Sequence, residues 1–575
     1  MSASVNELQS TIPAAELRPP SYVMRLKRLG AFHQTRISFV RSLIRQMARE
    51  QWRISTDLRD LDDNGFGTIV YAVDTPHGRF SFVAFSNYLE PSERTDRVIA
   101  EKWDTTFALI EGTPDNSDIA RLRVNANVQE AGRFDARDLV LSRANKSVRL
   151  FDYTIDCLAK GEQPDLQKLV DVGYLLRTTA VYGNGKFGIA DFGRLDKDGP
   201  FSQPFRAQML VVYLSRHLAF DLVEHVARQR NPDKAVALNR NIKHFLGVGN
   251  STGLGMAPFL MSHPGLIHQW FFCRETALAR VRVILASPQD VTRFGELLER
   301  AQRHFSQIKT SDQIQQQKNE ELVANIQSFL DYLVENTEAH EAPELWNRFM
   351  NWAEKNCDLE FQELLVSLII ELYPDQVDEL ENHMGGDDRF EIDPRMTLEE
   401  LIQIVEHAYS WALGVDYTHN DNCHYFWYAS EEKEEPRLGE RYAEPGAELE
   451  LPLDIGRRVS HLYDELSVLT ASEQQQSVAE FLLKKPRLRG VLARVQTISR
   501  YPYGEIRDNT IAHDCLPIDI LRCKLAMFGA SKFDPKSDRW TRITLFQGAP
   551  LAEELDQEDA DDWAFPYLPG GDNTH

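Results

Sequence analysis

The stretch GFGTIVYAVDTPHGRFSFVAF, residues 65–85, decides how the N-terminal part of the chain folds. Two runs of β-branched and aromatic residues, 65–74 and 78–85, flank a short Thr-Pro-His sequence that favours a turn. Runs of this kind joined by a few turn residues are typical of a β-hairpin. A third β-prone run follows at 105–110. The sequence therefore predicts antiparallel strands in this region.

Most of the remaining chain has apolar residues at helical spacing. The pattern covers residues 22–53, 137–180, the long body from about 205 to 412, and 454–498. Thr397 and Glu400 form a capping box, which predicts the start of a helix. Near the C-terminus we expect a helix from Pro517 to about Gly529, a surface loop at 532–540 and a strand at 541–546.

These patterns predict an α+β fold, in which an N-terminal mixed unit with antiparallel hairpins precedes a predominantly helical body. A chain of 575 residues suggests two to four domains. The predicted division is a flexible arm at 1–21, a mixed α/β N-terminal domain at 22–200, a helical domain at 201–413, a C-terminal mixed, mainly helical region at 414–550, and an acidic tail at 551–575.

Composition limits the class of protein. A net charge of −23 argues against general nucleic-acid binding, because neutralising phosphates requires a basic face. The N-terminus lacks the basic start and apolar core of a secretory signal, and no apolar run is long enough for a membrane span. Six cysteines without a CxxC pair fit neither a disulfide scaffold nor a zinc ribbon. We expect a soluble, globular, cytoplasmic protein, and a homodimer is compatible with this size.

Two charged segments stand out. Arg41, Arg45, Arg49 and Arg53 lie four residues apart, so on a helix they form one basic stripe. Three interpretations remain open: pairing with acidic residues elsewhere in the protein, a site for an anionic ligand or partner, and contact with RNA or lipid headgroups. Residues 553–562 contain seven acids and no base, which predicts a solvated, mobile tail.

The most site-like stretch is the Gly-rich segment FLGVGNSTGLGMAPF, residues 245–259. Glycines let a backbone approach a ligand, and consecutive N–H groups at the start of a helix can bind an anion. The segment is neither a Walker A loop nor a dinucleotide fingerprint. A joint for close helix packing is the alternative interpretation. The predicted ligand-binding residues are Gly247, Gly249, Asn250, Ser251, Thr252, Gly253 and Gly255, with Arg274 as a clamp for a carboxylate.

A second candidate lies in residues 416–428, where polar side chains precede four consecutive aromatic residues. His419, Asp421 and His424 are predicted to provide acid–base catalysis, and Cys423 is a candidate thiolate beside an imidazole. The alternatives are metal ligation and a structured loop that fills a seam between domains. We assign no residue as a metal ligand.

The leading hypothesis is a cytoplasmic enzyme that acts on a small carboxylate- or phosphate-bearing substrate or cofactor. The Gly-rich segment would bind the anion, and residues of 416–428 would supply acid–base chemistry across a seam between domains. The reaction class and the cofactor are left open. The alternative is a non-catalytic interaction or assembly protein that uses its basic N-terminal helix and its acidic tail.

Overall fold

A computed structural model describes residues 15–94, 102–126, 135–178, 199–253, 263–336, 344–385, 390–419, 455–507, 517–537, 540–557 and 560–569. The chain divides into two compact units, each built from three segments. We call them the helical unit and the sheet unit. The helical unit contains Met1–Phe32, Gly253–Leu285 and Asp375–Lys524, and the sheet unit contains His33–Thr252, Ala286–Pro374 and Leu525–His575.

Nine described strands form one mixed sheet. In chain order they are β1 Arg53–Leu61, β2 Gly67–Thr75, β3 Gly78–Ser86, β4 Thr105–Glu111, β5 Asp138–Lys146, β6 Tyr174–Thr178, β7 Gly247–Gly253, β8 Lys532–Ser537 and β9 Trp540–Leu545. Their order across the sheet is β1-β2-β3-β4-β5-β6-β7-β9-β8. Strands β1 to β6 pair antiparallel, and β7 pairs parallel with β6.

The helices before the second half of the chain are α1 Pro20–Val23, α2 Leu26–Leu29, α3 Phe39–Arg49, α4 Asn116–Asn125, α5 Phe151–Lys160, α6 Leu166–Val172, α7 Arg206–Arg230, α8 Arg240–Phe245 and α9 Pro264–Val281. Those that follow are α10 Pro288–Gln307, α11 Gln313–Glu335, α12 Leu345–Asn356, α13 Leu359–Glu371, α14 Pro374–Val377, α15 Leu398–Ala408, α16 Ser410–Leu413, α17 Ile455–Ser467, α18 Ala471–Gln474, α19 Val478–Lys484, α20 Arg489–Arg500 and α21 Arg522–Phe528. Each is too short or too polar to span a lipid bilayer.

The predicted α+β class is confirmed, and the hairpin at 65–85 is its most local element. Strands β2 and β3 pair from Gly67–Ser86 to Thr75–Gly78, which leaves only Pro76 and His77 in the turn. The Thr75 hydroxyl accepts the His77 N–H at 3.1 Å and donates to the Gly78 carbonyl at 2.9 Å. These bonds satisfy turn groups that the strand ladder leaves open.

Both faces of the central strands are buried. On one face, Val70, Val83 and Ala108 pack with Leu122 of α4. On the other face, the Tyr71 hydroxyl donates to Asp221 of α7 at 2.8 Å. Helices therefore cover the sheet on two sides, which explains why β2 to β4 read as nearly continuous apolar runs.

Two secondary-structure predictions are wrong. Residues 138–146, predicted as helical, are β5, because pairing with neighbouring strands decides the conformation of apolar runs this short. The predicted surface loop at 532–540 forms β8 and the start of β9. Pro535 is tolerated in β8 because this strand lies at an edge of the sheet, where no ladder needs its missing N–H.

The described part of the helical unit is held by buried ion pairs. Helices α15, α17 and α20 pack on one another, and α9 packs on the 3₁₀ turn Pro502–Gly504. Arg494 donates to the Glu505 carboxylate at 2.7 Å, and the Tyr409 hydroxyl donates to the same carboxylate at 2.7 Å. All three side chains are at most 1% exposed. Burial, together with the Glu505 charge, raises the pKa of Tyr409 well above its usual value, so its hydroxyl stays protonated and remains a donor.

His268 of α9 makes the helical unit sensitive to acid. Its Nδ1 accepts the Tyr503 backbone N–H at 3.1 Å, and burial lowers its pKa to about 4. In the unfolded chain the His268 imidazole takes up a proton near pH 6.5, whereas in the folded chain burial keeps it neutral down to about pH 4. The free energy of unfolding is therefore highest above pH 6.5 and decreases as the pH falls towards 4. We expect the free energy of unfolding to decrease by about 3 kcal/mol over this range.

Urea unfolding at a series of pH values would measure this loss. His268→Asn retains a hydrogen-bond acceptor, and its free energy of unfolding is expected to change less between pH 6.5 and 4 than that of the wild type. The same substitution at His407, which is exposed, should leave the pH dependence as in the wild type. An unchanged slope in His268→Asn would refute the assignment.

Candidate functional site

Part of the Gly-rich segment forms a strand instead of the predicted loop. The Gly247 N–H donates to the Gly173 carbonyl at 3.0 Å. A Cβ at Gly247 would lie 2.2 Å from the Leu545 carbonyl oxygen, and one at Gly249 would lie 2.6 Å from the ring of Tyr174. The two glycines therefore allow close packing inside the sheet, and the alternative of a joint for close helix packing stays a prediction.

The other predicted residues of this segment lie in β7 or beyond it. Asn250 is buried and donates through Nδ2 to the Thr178 carbonyl at 2.6 Å. Ser251, Thr252 and Gly253 complete the strand, and Gly255 lies outside the described residues. Ligand binding by this segment stays a prediction.

Arg274, the predicted carboxylate clamp, is fully buried in α9 of the helical unit. Its Nη1 donates to the Glu275 carboxylate at 3.0 Å, and its guanidinium lies 4.1 Å from the centre of the Phe32 ring. The same carboxylate accepts two hydrogen bonds from Arg18, both at 2.7 Å. These contacts give Arg274 a role in the core, and its role as a clamp stays a prediction.

Of the predicted catalytic residues, only His419 is described. It is exposed at the end of a turn in which Asp416 accepts the Thr418 hydroxyl at 2.7 Å. That hydrogen bond is the main cause that holds the pKa of Asp416 below its usual value. Asp421, Cys423 and His424 lie outside the described residues, so acid–base catalysis by this group stays a prediction. His419 belongs to the helical unit, whereas Gly247–Thr252 belongs to the sheet unit.

Two arginines of the basic stripe, Arg41 and Arg45 of α3, bind the acidic tail within the sheet unit, whereas Arg53 of the stripe begins β1. Asp561 contacts Arg36 at 2.5 Å, Arg41 at 2.9 Å and Arg45 at 3.3 Å. Glu371 contacts Arg36 at 3.1 Å and Arg41 at 2.7 Å. These contacts agree with pairing to acidic residues elsewhere in the protein. We call this group the arginine cluster.

Within the run 553–562, Glu554 is 2% exposed and Asp561 pairs with the arginine cluster, so these two positions are not solvated as predicted. Trp563, Phe565 and Leu568 are buried, and the Gln307 side chain of α10 bonds both the N–H and the carbonyl of Leu568. A run of acids predicts solvation, but the buried apolar residues that follow Asp562 hold this part of the chain against the protein. Arg41 and Asp561 are therefore not available to an external partner in this conformation.

A concave basic surface lies in the helical unit, at a place that the sequence interpretation missed. A cavity of about 470 Å³ is lined by Arg457, Arg458 and His461 of α17, by Arg487 and by the apolar side chains of Leu488 and Val491. Leu488 and Val491 are at most 5% exposed, so they form a fixed apolar floor. We call this cavity the basic pocket.

The pocket collects positive charge in a strongly acidic chain. Arg457 and Arg458 are adjacent residues of α17. Arg458 and His461 form no hydrogen bond or ion pair within the described residues.

The carboxylate of Glu465 holds the part of the pocket that contains Arg487. Glu465 accepts from Lys485 at 2.5 Å and from Arg487 at 2.6 Å, and these bonds hold the pKa of Glu465 below its usual value. Glu465 therefore remains ionised and ties the 3₁₀ turn Pro486–Leu488 to α17. The sequence signal that could have found this wall is the run KKPRLR at 484–489, with four bases in six positions.

Comparison of the chain with protein-family models, with curated proteins and with solved structures gives no match in any of the three.

Proposed function

We propose that this protein binds a small anionic ligand, and that the ligand is phosphate-bearing and occupies the basic pocket. The observation that carries the proposal is the convergence of Arg457, Arg458, His461 and Arg487 on one cavity in a chain of net charge −23. Ligand sites are concave and mostly apolar with a few placed polar groups, and this cavity lies within their usual size range.

The donor set favours phosphate over a single carboxylate. A guanidinium binds phosphate oxygens through two parallel N–H bonds, and this pocket offers guanidinium groups from α17 and from the turn that faces it. A ligand with two phosphate groups can therefore contact both walls, while its organic part packs on Leu488 and Val491. The catalytic role predicted for His419, Asp421 and His424 is a separate proposal that does not rest on the pocket.

Arg458→Gln combined with Arg487→Gln is expected to weaken the binding of inorganic pyrophosphate at least about tenfold, because each charged hydrogen bond contributes roughly 1.5–3 kcal/mol. Isothermal titration calorimetry of the full chain measures the dissociation constant. Binding should also weaken as salt increases, since the contacts are exposed to solvent.

The matched control is Arg500→Gln, which removes an arginine of the same unit whose side chain is 60% exposed and paired with Glu391. This variant should bind pyrophosphate as the wild type does. Equal affinity in the double variant and the control, or no binding of pyrophosphate, ATP or another phosphorylated probe by the wild type, would contradict the proposal.

A further inference from the structure

The two most exposed large apolar side chains of the described residues lie in chain segments that Glu465 and Lys485 join by an ion pair. Leu483 of α19 is 85% exposed, and Val468, which follows α17, is 79% exposed. Single apolar residues on a protein surface are normal, so exposure alone carries no conclusion. Their position relative to the pocket is what distinguishes these two.

Glu465 brings the apolar residues and the pocket together. It precedes Val468 by three residues, and its carboxylate binds Lys485, which follows Leu483 by two residues. The same carboxylate binds Arg487 on the pocket wall. Val468, Leu483 and the pocket entrance are thus linked through one ion-paired group, and we call this region the amphiphilic surface.

The amphiphilic surface combines two properties. Lys484, Lys485, Arg487 and Arg489 stand within six positions, and Arg487 lines the pocket together with Arg457 and Arg458. Each base near an anionic bilayer surface strengthens binding by roughly a factor of five. Exposed aliphatic side chains add to this when they enter the boundary between headgroups and acyl chains.

We propose that the amphiphilic surface binds membranes that contain phosphorylated anionic lipids. The headgroup phosphates enter the basic pocket, and Leu483 and Val468 insert beside it. This inference rests on the proposed function, because it identifies the phosphate-bearing ligand as a lipid headgroup. A lipid surface accounts for the exposed aliphatic side chains, which a free phosphorylated metabolite inside the pocket would leave in water.

Vesicle sedimentation of the full chain tests the inference. Vesicles of phosphatidylcholine with a phosphatidylinositol bisphosphate should bind the protein, and vesicles of phosphatidylcholine alone should not. Leu483→Asp combined with Val468→Asp is expected to reduce vesicle binding at least about tenfold, since it removes apolar insertion and adds repulsion from the anionic surface. Both side chains are largely exposed, so the substitutions should leave the fold unchanged. Val334→Asp, at a site that is 75% exposed in the sheet unit, is the matched control.

The soluble headgroup, an inositol trisphosphate, separates this inference from the proposed function. Headgroup binding that is unchanged in the Leu483/Val468 variant, together with reduced vesicle binding, is the supporting result. Headgroup binding without vesicle binding, or vesicle binding unaffected by the variant, would overturn the lipid inference and leave the proposed function standing. Preferential binding of polyglutamate over vesicles would overturn it in favour of an acidic protein partner. If neither headgroup nor vesicle binds, the lipid inference fails, and the pyrophosphate titration separately decides the proposed function.

Discussion

Asp561→Asn is expected to lower the free energy of unfolding by about 3–5 kcal/mol, because removing one partner of a buried ion pair leaves the other charge uncompensated. Asp561 faces Arg36, Arg41 and Arg45, and Glu371 is the second carboxylate of the arginine cluster. The variant would leave three guanidinium groups with one carboxylate in a largely buried environment.

The pKa of Asp561 supports this size of effect. Burial by itself would raise that pKa, but the charges of Arg41, Arg45 and Arg36 hold it well below its usual value. The carboxylate therefore stabilises the fold above the ordinary aspartate pKa near 4, and this contribution is lost as the pH falls further. The difference in stability between wild type and Asp561→Asn should narrow over the same acidic range.

Asp562→Asn is the matched control for this measurement. Asp562 is the next residue, but its side chain is 57% exposed and pairs with Arg300 at 2.8 Å. Exposed pairs contribute about 0–1 kcal/mol, so this variant should unfold close to the wild type in urea, followed by circular dichroism. A similar small effect for both variants would show that the arginine cluster does not hold the C-terminal segment.

Gly247→Ala is expected to destabilise the protein by at least about 3 kcal/mol, because overpacking forces the backbone apart. The new Cβ would lie 2.2 Å from the Leu545 carbonyl oxygen and 2.9 Å from the Gln547 nitrogen. Both are backbone atoms, so β7 and the chain at the end of β9 would have to separate. The measurement is the midpoint of thermal unfolding, and the soluble yield provides a second readout.

Gly295→Ala is expected to change the stability in the opposite direction, although the substitution is the same. Gly295 lies inside α10, and its added Cβ would meet no atom within 4 Å. Alanine in a helix interior is favoured over glycine by about 0.5–1 kcal/mol, so this variant should be slightly more stable than the wild type. Normal stability of Gly247→Ala would contradict the packing role and would restore the loop interpretation of the Gly-rich segment.

Local patterns predicted the elements whose hydrogen bonds close within a few residues. The hairpin of β2 and β3 was readable because its turn lies between two β-prone runs, and the start of α15 was readable because Thr397 and Glu400 satisfy each other's backbone groups. The predicted helix and late strand near the C-terminus correspond to Pro517–Phe528 and to β9.

The same patterns misled where a short segment depends on a distant partner. β5 has an apolar run that fits a helix or a strand equally well, and pairing with β4 decides between them. The conformation of β7 likewise depends on β6 and on β9, which is almost 300 residues away in the chain. No local signal identifies such partners.

By itself, the sequence determined the α+β class, the N-terminal hairpin, the helical spacing of the long body and the unusual clustering of bases in an acidic chain. Only the tertiary structure decided that Asp561 pairs with Arg41 and Arg45 of α3. It alone decided that Arg457, Arg458, His461 and Arg487 share one cavity and that β7 is enclosed in the sheet. The physical reason is that helix spacing and turns depend on neighbours along the chain, whereas charge pairing and cavities depend on which surfaces folding brings together.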